Sequence, residues 1–192
     1  MKTVYILTAV VLSSALLSGC APLIVGGAAA TGATVANDRR TTGTFVEDQA
    51  IELKIKNTIL SDKALNEQSH INVTSFNTNV LLTGEAATEA ARNKVIDYAK
   101  RTEKVSHVFN EITIAAPSAL MARSSDTLLT TNVKTRLFAD KSIEGTKIKV
   151  VTEAGVVYLL GLVSRKQGDL AAQLTSQVSG VQKVVKLFEY TD

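Results

Sequence analysis

The stretch that decides the fold is INVTSFNTNVLLTG, residues 71–84. Its first half alternates apolar and polar residues, which predicts a half-buried strand. Turn-forming residues follow at 77–79, and a second β-rich segment comes directly after them, so the two segments are expected to form a hairpin. The same order recurs in IKVVTEAGVVYLLG, residues 148–161, with Ala154-Gly155 at the turn. The chain therefore contains two copies of one hairpin.

Outside the hairpins the similarity continues in both directions. Residues 48–60 align with residues 126–138, and residues 105–108 align with residues 181–184, with the register kept to within a residue or two. In the first of these pairs, apolar side chains recur at a spacing of four, which is typical of the buried face of a helix. They are Ile51, Ile55 and Ile59 in the first copy and Leu129, Val133 and Leu137 in the second. So many ordered matches indicate an internal duplication.

Each copy is predicted to contain a helix, the hairpin, a second helix and a last strand. The residues expected to cap the helices are, in chain order, Asp48, Thr88, Asp126 and Ser164. The second helices end near Arg101 and Val178, with Gly180 as a helix stop in the second copy. The last strands span residues 105–114 and 181–190. The predicted fold class is α+β: two tandem α-β-β-α-β modules, each with a three-stranded mixed sheet and two helices packed on one face.

Composition also sets the boundaries of these modules. The first is predicted over residues 44–115 and the second over residues 125–192, with a linker at 116–124. Two modules on such a short joint can either move or dock. Residues 20–43 are small, apolar and glycine-containing, which is typical of a flexible tether. A short alanine-rich helix lying on a membrane is the alternative for this segment.

The chain begins with the features of a secretory signal. Lys2 precedes an apolar run too short to span a bilayer, and LSGC at residues 17–20 supplies a small-residue cleavage site. We predict a signal peptide over residues 1–19. LSGC also resembles the bacterial lipobox, so Cys20, the one cysteine of the chain, is predicted to become the N-terminal residue and to carry acyl chains such as palmitate. An ordinary buried thiol at Cys20 is the alternative.

The predicted lipidation indicates where the protein is located. Three acyl chains would hold the protein on a membrane essentially permanently. Ala21, in place of aspartate, resembles the pattern that sends Gram-negative lipoproteins to the outer membrane, where the modules would face the periplasm.

Without residues 1–19 the chain has 20 basic and 18 acidic residues. That balance gives no reason to expect nucleic-acid binding.

The charge is divided unevenly between the two copies. Residues 44–114 contain 8 basic and 10 acidic residues, whereas residues 123–192 contain 10 basic and 7 acidic residues. The first copy is therefore −2 and the second +3. An anionic membrane surface should prefer the second copy.

The order of the motifs resembles a known family. A helix, then I-x-V, then V-x-L-x-G, then a helix ending before V-x-x-V is similar to the BON domain, and both copies carry this order, at residues 71–73, 80–84 and 105–108 and at residues 148–150, 157–161 and 181–184. With the lipobox in front, the chain resembles the dual BON-domain outer-membrane lipoproteins. That resemblance implies binding of anionic phospholipid, phosphatidylglycerol or cardiolipin, by the second module, and a role in outer-membrane integrity.

In these lipoproteins the lipid-contacting element is the first helix of the second module. The resemblance places the contacts here at Leu128, Val133, Lys134, Phe138 and Ala139. One departure is that a family member carries tryptophan at the position of Leu128. Leucine can insert into lipid but lacks the preference of an indole for the headgroup level.

The residues of this helix support a lipid-facing surface on their own. At about 100° per residue, Val133 falls on the core side, whereas Leu128 and Phe138 point away from the core, with Lys134 and Arg136 towards the flanks of their face. We therefore expect Leu128 and Phe138 to insert and Val133 to act as support.

Two observations leave this reading open. Leu128 and Phe138 could instead pack against the other module or the linker. The first copy also has outward apolar residues, Leu53 and Leu60, so apolar character alone does not single out the second copy.

Other classes of function fit the sequence less well. His70 and His107 occur only in the first copy and are expected at the surface, at strand starts. The sequence has no Cys-His cluster, no Gly-x-Ser-x-Gly motif and no phosphate loop, so we expect no catalysis, no metal and no cofactor. A protein-interaction or scaffold module for envelope assembly or division machinery is the main alternative, because an exposed sheet face or edge can recruit a partner strand.

Overall fold

Each hairpin is embedded in a module of helices and strands. The computed structural model describes residues 40–116 and 120–192, with residues 120–123 described by their backbone alone, and these belong to one compact unit spanning residues 37–192. The first module consists of α1 (Thr42–Ser61), α2 (Lys63–Gln68), β1 (Ser69–Phe76), β2 (Asn79–Ala86), α3 (Glu89–Arg101) and β3 (His107–Ile114). The second consists of α4 (Leu120–Ala139), a short 3-10 helix (Gly145–Lys147), β4 (Lys149–Glu153), β5 (Val156–Val163), α5 (Arg165–Ser176) and β6 (Lys183–Tyr190).

The second strand of each hairpin lies in the centre of its sheet. β1 pairs antiparallel with β2, and β2 pairs parallel with β3. β4, β5 and β6 repeat this arrangement. The parallel pairs need crossover connections, which α3 and α5 supply. The predicted fold class, two α+β modules with mixed three-stranded sheets, is confirmed.

Backbone geometry explains the two hairpin motifs. A type I′ turn requires positive φ at both central residues, and positive φ is found at Asn77 (51°), Thr78 (65°), Ala154 (49°) and Gly155 (75°). The glycine of V-x-L-x-G has a different role. A Cβ on Gly84 would collide with the carbonyl oxygen of His70 on β1. Glycine is therefore needed where the two strands approach closely.

The first helix of each module is longer than the sequence indicated. Thr41 caps α1, with its side chain accepting a hydrogen bond from the backbone N–H at the start of the helix, and α4 starts inside the predicted linker. Asp48 and Asp126, which were predicted as caps, lie within these helices, and their assignment as caps is wrong. The predicted caps of α3 and α5, Thr88 and Ser164, are confirmed. The signal peptide, Cys20 and residues 21–39 of the predicted tether lie outside the described residues. Residues 40–43 do not belong to a flexible tether as predicted, because they include the cap Thr41 and the start of α1.

Each module has its own apolar core between its helices and one face of its sheet. The core of the first module includes Ile51, Ile55, Ile59, Val80, Leu82 and Val95. The core of the second includes Leu129, Val133, Leu137, Val157, Leu159 and Ala171. The repeated apolar residues of the sequence are thus the contacts that fasten α1 and α4 to their sheets.

The two sheets pack against each other through the faces that carry no helices. Phe76 and Leu81 of the first module and Tyr158 and Leu160 of the second form a separate buried cluster there. β2 and β5 are therefore covered on both faces, and the modules dock. This packing removes the exposed sheet face that was considered as a place for a partner strand.

Hydrogen bonds surround the apolar part of this interface. The carboxylate of Glu153 accepts from Asn72 Nδ2 at 2.7 Å and from Thr83 Oγ1 at 3.1 Å. Glu189 accepts from the side-chain amides of Asn77 and Asn79, each at 2.8 Å. Each of these carboxylates belongs to the second module and binds the first. The docked arrangement is thus held by directional contacts as well as by apolar packing.

Candidate functional site

The outward face of α4 carries the side chains that the sequence singled out. Leu128 is 67% exposed and Phe138 is 56% exposed, about 15 Å apart along the helix axis. These exposures do not fit the alternative in which both side chains are sealed against the other module. Ala139, the last residue of α4, is exposed as well.

Hydroxyl groups fill the space between the two apolar side chains. Thr131 and Thr135 are exposed, and each hydroxyl donates to the backbone carbonyl four residues earlier, at 3.0 Å and 2.9 Å. Because these donors are already satisfied within the helix, contact with an apolar phase costs less than it would for free hydroxyls.

The opposite side of α4 belongs to the core. Val133 and Leu137 have no exposed surface. The family resemblance placed Val133 among the lipid contacts, but this side chain cannot touch a lipid while α4 stays on its sheet. Val133 is therefore corrected to a core residue, which agrees with its expected place on the core side of the helix.

The basic side chains of α4 flank the outward face on opposite sides. Lys134 and Arg136 are exposed. Hydrogen bonds from Ser142 and the nearby charge of Arg136 lower the pKa of Asp140, so Arg136 lies near one carboxylate. Arg136 Nη2 donates instead to the side-chain carbonyl of Gln177 at 3.4 Å, a neutral group. The charge of Lys134 is available to an anionic surface, whereas that of Arg136 is partly offset by Asp140.

The corresponding helix of the first module differs in charge rather than in apolar exposure. Leu53 and Leu60 are 59% and 60% exposed, much like the apolar pair on α4. Its lysines are paired, however. Lys54 Nζ lies 3.5 Å from a carboxylate oxygen of Glu103, and Lys56 Nζ lies 3.4 Å from Glu52. Such exposed pairs add little stability, but they cancel the charge that an anionic surface would attract.

An aspartate fixes each of these helices to its hairpin turn. The carboxylate of Asp126 accepts from the backbone N–H groups of Ala154 at 2.8 Å and Gly155 at 3.0 Å. Asp48 makes the equivalent contacts with Asn77 and Thr78, both at 2.8 Å. The sequence signal that could have revealed this role is the aspartate at the same place in both copies, too far into the helix to be a cap.

The BON domain family matches residues 47–116 and 125–192, which is most of the chain. The chain belongs to the BON-domain family. It is 38% identical over 176 residues to the outer membrane lipoprotein DolP of Haemophilus influenzae, a match that covers 92% of this chain and 91% of that protein. Each of the two modules is therefore a BON module.

Other relatives carry different names. The 21 kDa hemolysin of Actinobacillus pleuropneumoniae is 36% identical over 153 residues, covering 80% of this chain and 79% of that protein. Osmotically-inducible protein Y of Escherichia coli is 30% identical over 145 residues, covering 74% and 72%. Among solved structures, the C-terminal domain of CdsD from Chlamydia trachomatis gives a TM-score of 0.30 at 15% identity, covering 76% of this chain and 67% of that one. The relatives support an outer-membrane-associated BON protein.

Within the part of the chain that the structure describes, no helix is long and apolar enough to cross a bilayer.

The histidines lie apart in the first BON module. His107, the first residue of β3, is exposed with its ring centroid 4.5 Å from that of Phe109, and His70 is half-buried near the start of β1. The described residues contain no group of three or more His, Cys, Asp or Glu side chains placed to hold a metal ion.

Among the described residues, the largest pKa shift belongs to Tyr158, which lies between the BON modules rather than on α4. Burial raises the pKa of Tyr158 above its ordinary value, and Glu111, which accepts from the phenol at 3.3 Å, raises it further. This tyrosine belongs to the apolar cluster between the sheets, so the shift reflects docking of the modules. Nothing connects it to the α4 surface.

Proposed function

We propose that this protein is a non-catalytic outer-membrane lipoprotein that binds anionic phospholipid through α4 and supports outer-membrane integrity. Its acyl chains are attached at Cys20, and its BON modules face the periplasm. The observation that carries the proposal is the outward face of α4, where Leu128 and Phe138 are more than half exposed and the exposed bases Lys134 and Arg136 flank them. The relationship to an outer membrane lipoprotein supports the location.

The expected affinity of this surface is modest. Full burial of a large apolar side chain contributes about 1.5–3 kcal/mol, so two side chains that are already partly covered contribute about 2–4 kcal/mol together. Each base near an anionic leaflet adds about 1 kcal/mol. The sum, about 4–6 kcal/mol, corresponds to a dissociation constant between about 1 mM and roughly 40 μM. A lipid anchor at Cys20 would make such a weak contact effective by keeping α4 close to the headgroups.

Sedimentation with vesicles tests this proposal. A fragment of residues 37–192 retains the whole compact unit, including Arg40, and lacks Cys20. It should bind vesicles that contain phosphatidylglycerol or cardiolipin, bind neutral phosphatidylcholine vesicles far less, and lose affinity as salt is raised. Leu128→Glu and Phe138→Glu should each weaken this binding.

The first BON module supplies matched controls. Leu60 occupies the position on α1 that Phe138 occupies on α4, and it is similarly exposed. Leu53→Glu and Leu60→Glu should therefore leave vesicle binding unchanged. Negligible binding to both charged and neutral vesicles, or equal losses in the α1 and α4 variants, would reject α4 as the lipid-binding element.

A protein-interaction role at α1 is the second candidate. Val46, Leu53 and Leu60 recur every seven residues and are each about 60% exposed, forming one stripe roughly 21 Å long. The lysines beside this stripe are already paired, which suits a protein surface better than an anionic bilayer. If Leu53→Glu impairs outer-membrane integrity in cells while vesicle binding stays normal, an envelope protein that docks on α1 is indicated.

A further inference from the structure

The exposed apolar side chains of this protein are concentrated on two helices. Among the described residues, seven large apolar side chains are exposed, and five of them belong to α1 or α4. These five are Val46, Leu53 and Leu60 on α1 and Leu128 and Phe138 on α4. Because contiguous exposed apolar surface usually marks a contact with a partner, each helix presents a face that a partner can cover.

The two helix faces are complementary in shape. Along α1, the three large side chains are separated by the smaller exposed residues Ala50 and Asn57. Along α4 the pattern is the reverse, because two threonines separate the two large side chains by about 15 Å. Leu53 of one copy therefore fits into the gap between Leu128 and Phe138 of a second copy, as the ridges of one helix pack into the grooves of another.

The charges of the modules are complementary as well. The first BON module has a net charge of −2 and the second a net charge of +3. A contact between α1 of one copy and α4 of another brings opposite charges together, whereas a contact between two like helices brings together modules of the same sign. At the edge of α1, the side chain of Glu103 is 74% exposed although Lys54 lies beside it, so a base of α4 can reach it.

Like helices also fit each other less well. In an antiparallel pair of α1 helices centred on Leu53, this side chain would meet its own copy at the same height. Lys54 would then lie beside Lys54 of the second copy. In an antiparallel pair of α4 helices centred on Val133, the two threonine gaps would face each other and leave the interface hollow. Both shape and charge therefore favour the contact between unlike helices.

We propose that this protein associates with a second copy of itself through α1 of one molecule and α4 of the other. Each of these helices lies on the side of its sheet that faces away from the other module. A molecule that uses one of the two faces therefore keeps the other free, and association continues head to tail instead of closing at a dimer. The inference goes beyond lipid binding and does not rest on it. A copy that uses α4 for this contact cannot use it for lipid.

We expect the contact to be weak in solution. Two helix faces about 21 Å long bury much less than the roughly 1,600 Å² of a standard interface. A dissociation constant of about 0.1–1 mM is therefore expected. The proposed anchor at Cys20 would raise the effective concentration of the protein at the membrane and favour association there.

Neutral substitutions test the two faces without changing the charge of either module. The α1-blocked variant carries Leu53→Gln and Leu60→Gln, and the α4-blocked variant carries Leu128→Gln and Phe138→Gln. These four side chains are exposed, so both variants are expected to fold, which circular dichroism checks. The matched control is Ile114→Gln, because this apolar side chain is exposed on β3 and belongs to neither helix.

Sedimentation equilibrium of the 37–192 fragment, from about 20 μM to about 1 mM, measures the association. The average mass of the wild type and of the control should rise with concentration towards and beyond that of a dimer. Each blocked variant alone should associate at least about tenfold more weakly, because burial of one large apolar side chain is worth about that factor.

An equal mixture of the two blocked variants is the decisive sample. The intact α4 of the α1-blocked variant can bind the intact α1 of the α4-blocked variant. The mixture should therefore recover the affinity of the wild type for one contact, form a 1:1 complex and grow no further. No contact between like helices predicts this recovery.

Four outcomes would overturn the proposal. They are a wild type that stays monomeric at the highest concentration, a mixture no more associated than its components, and undiminished association of either blocked variant alone. Association by the α4-blocked variant would indicate contacts between α1 helices, and association by the α1-blocked variant would indicate contacts between α4 helices. A wild type that associates as expected but binds no vesicles rejects the lipid-binding function and supports this inference.

Discussion

Removing the carboxylate of Asp48 should destabilise the protein more than removing that of Asp126, although the two residues occupy the same place in the two BON modules. Asp48 is 1% exposed. Its carboxylate accepts four hydrogen bonds, from Ser75 Oγ at 2.6 Å, from Arg40 Nη1 at 2.7 Å and from the N–H groups of Asn77 and Thr78 at 2.8 Å. Asp126 is partly exposed and accepts from two N–H groups, at 2.8 Å and 3.0 Å.

The difference in environment sets the expected magnitudes. Truncating one partner of a buried ion pair costs about 3–5 kcal/mol, because the other charge stays buried without compensation. Asp48→Ala removes the carboxylate partner of Arg40 and the acceptor of three further donors, so we expect a loss of about 4 kcal/mol in the free energy of unfolding. Asp126→Ala leaves two N–H groups near solvent without their acceptor. The free energy of unfolding is expected to fall by about 1–2 kcal/mol.

Urea unfolding of the 37–192 fragment, followed by circular dichroism, measures both losses on one scale. Asp48→Asn is the informative intermediate, because the amide keeps one accepting oxygen but loses the charge. Its loss should fall between that of Asp48→Ala and zero. Equal losses for Asp48→Ala and Asp126→Ala, with unchanged dependence on urea, would refute the reasoning that burial and the number of bonds decide the cost.

Three further predictions concern the docked modules and the anchor. Glu153→Ala leaves Asn72 and Thr83 without their acceptor across the interface and should lower the free energy of unfolding by about 1–3 kcal/mol in urea. Burial raises the pKa of Tyr158, so the unfolded chain loses this proton first, and the free energy of unfolding should fall as the pH rises above about 10. Tyr158→Phe should reduce that fall, as unfolding curves at several alkaline pH values would show. Cys20→Ser should remove the acyl chains and release the protein from the membrane fraction, which mass spectrometry and fractionation measure; unchanged mass and fractionation would exclude lipidation.

The sequence predicted the elements whose signals are local. Thr88 and Ser164 stand directly before an amphipathic helix, where a hydroxyl can reach the first free N–H groups, and both are caps in the structure. The hairpin turns were equally readable because Asn77 and Gly155 are residue types that tolerate positive φ, although Thr78 and Ala154 adopt it as well. Leu128 and Phe138 were placed outward by helical periodicity alone, and the structure leaves both exposed.

The features that the sequence did not predict depend on contacts far apart in the chain. Asp48 looks like a cap when only its neighbours are considered, and its role depends on a turn about 30 residues later. Docking of the two modules also depends on contacts between residues that are far apart in the chain. The continuous apolar runs at residues 80–82 and 157–160 are typical of strands buried on both faces, but they do not say which surface covers the second face.

Because each sheet is sandwiched between its own helices and the other sheet, α1 and α4 lie in opposite outer layers of the protein. A molecule resting on the bilayer through α4 would turn α1 towards the aqueous space, out of reach of the lipid. The protein would then present two chemically different surfaces. The α4 surface is basic and apolar, and the α1 surface is apolar with its charges paired. Such a polarity would let one copy hold a lipid surface and an envelope protein at the same time.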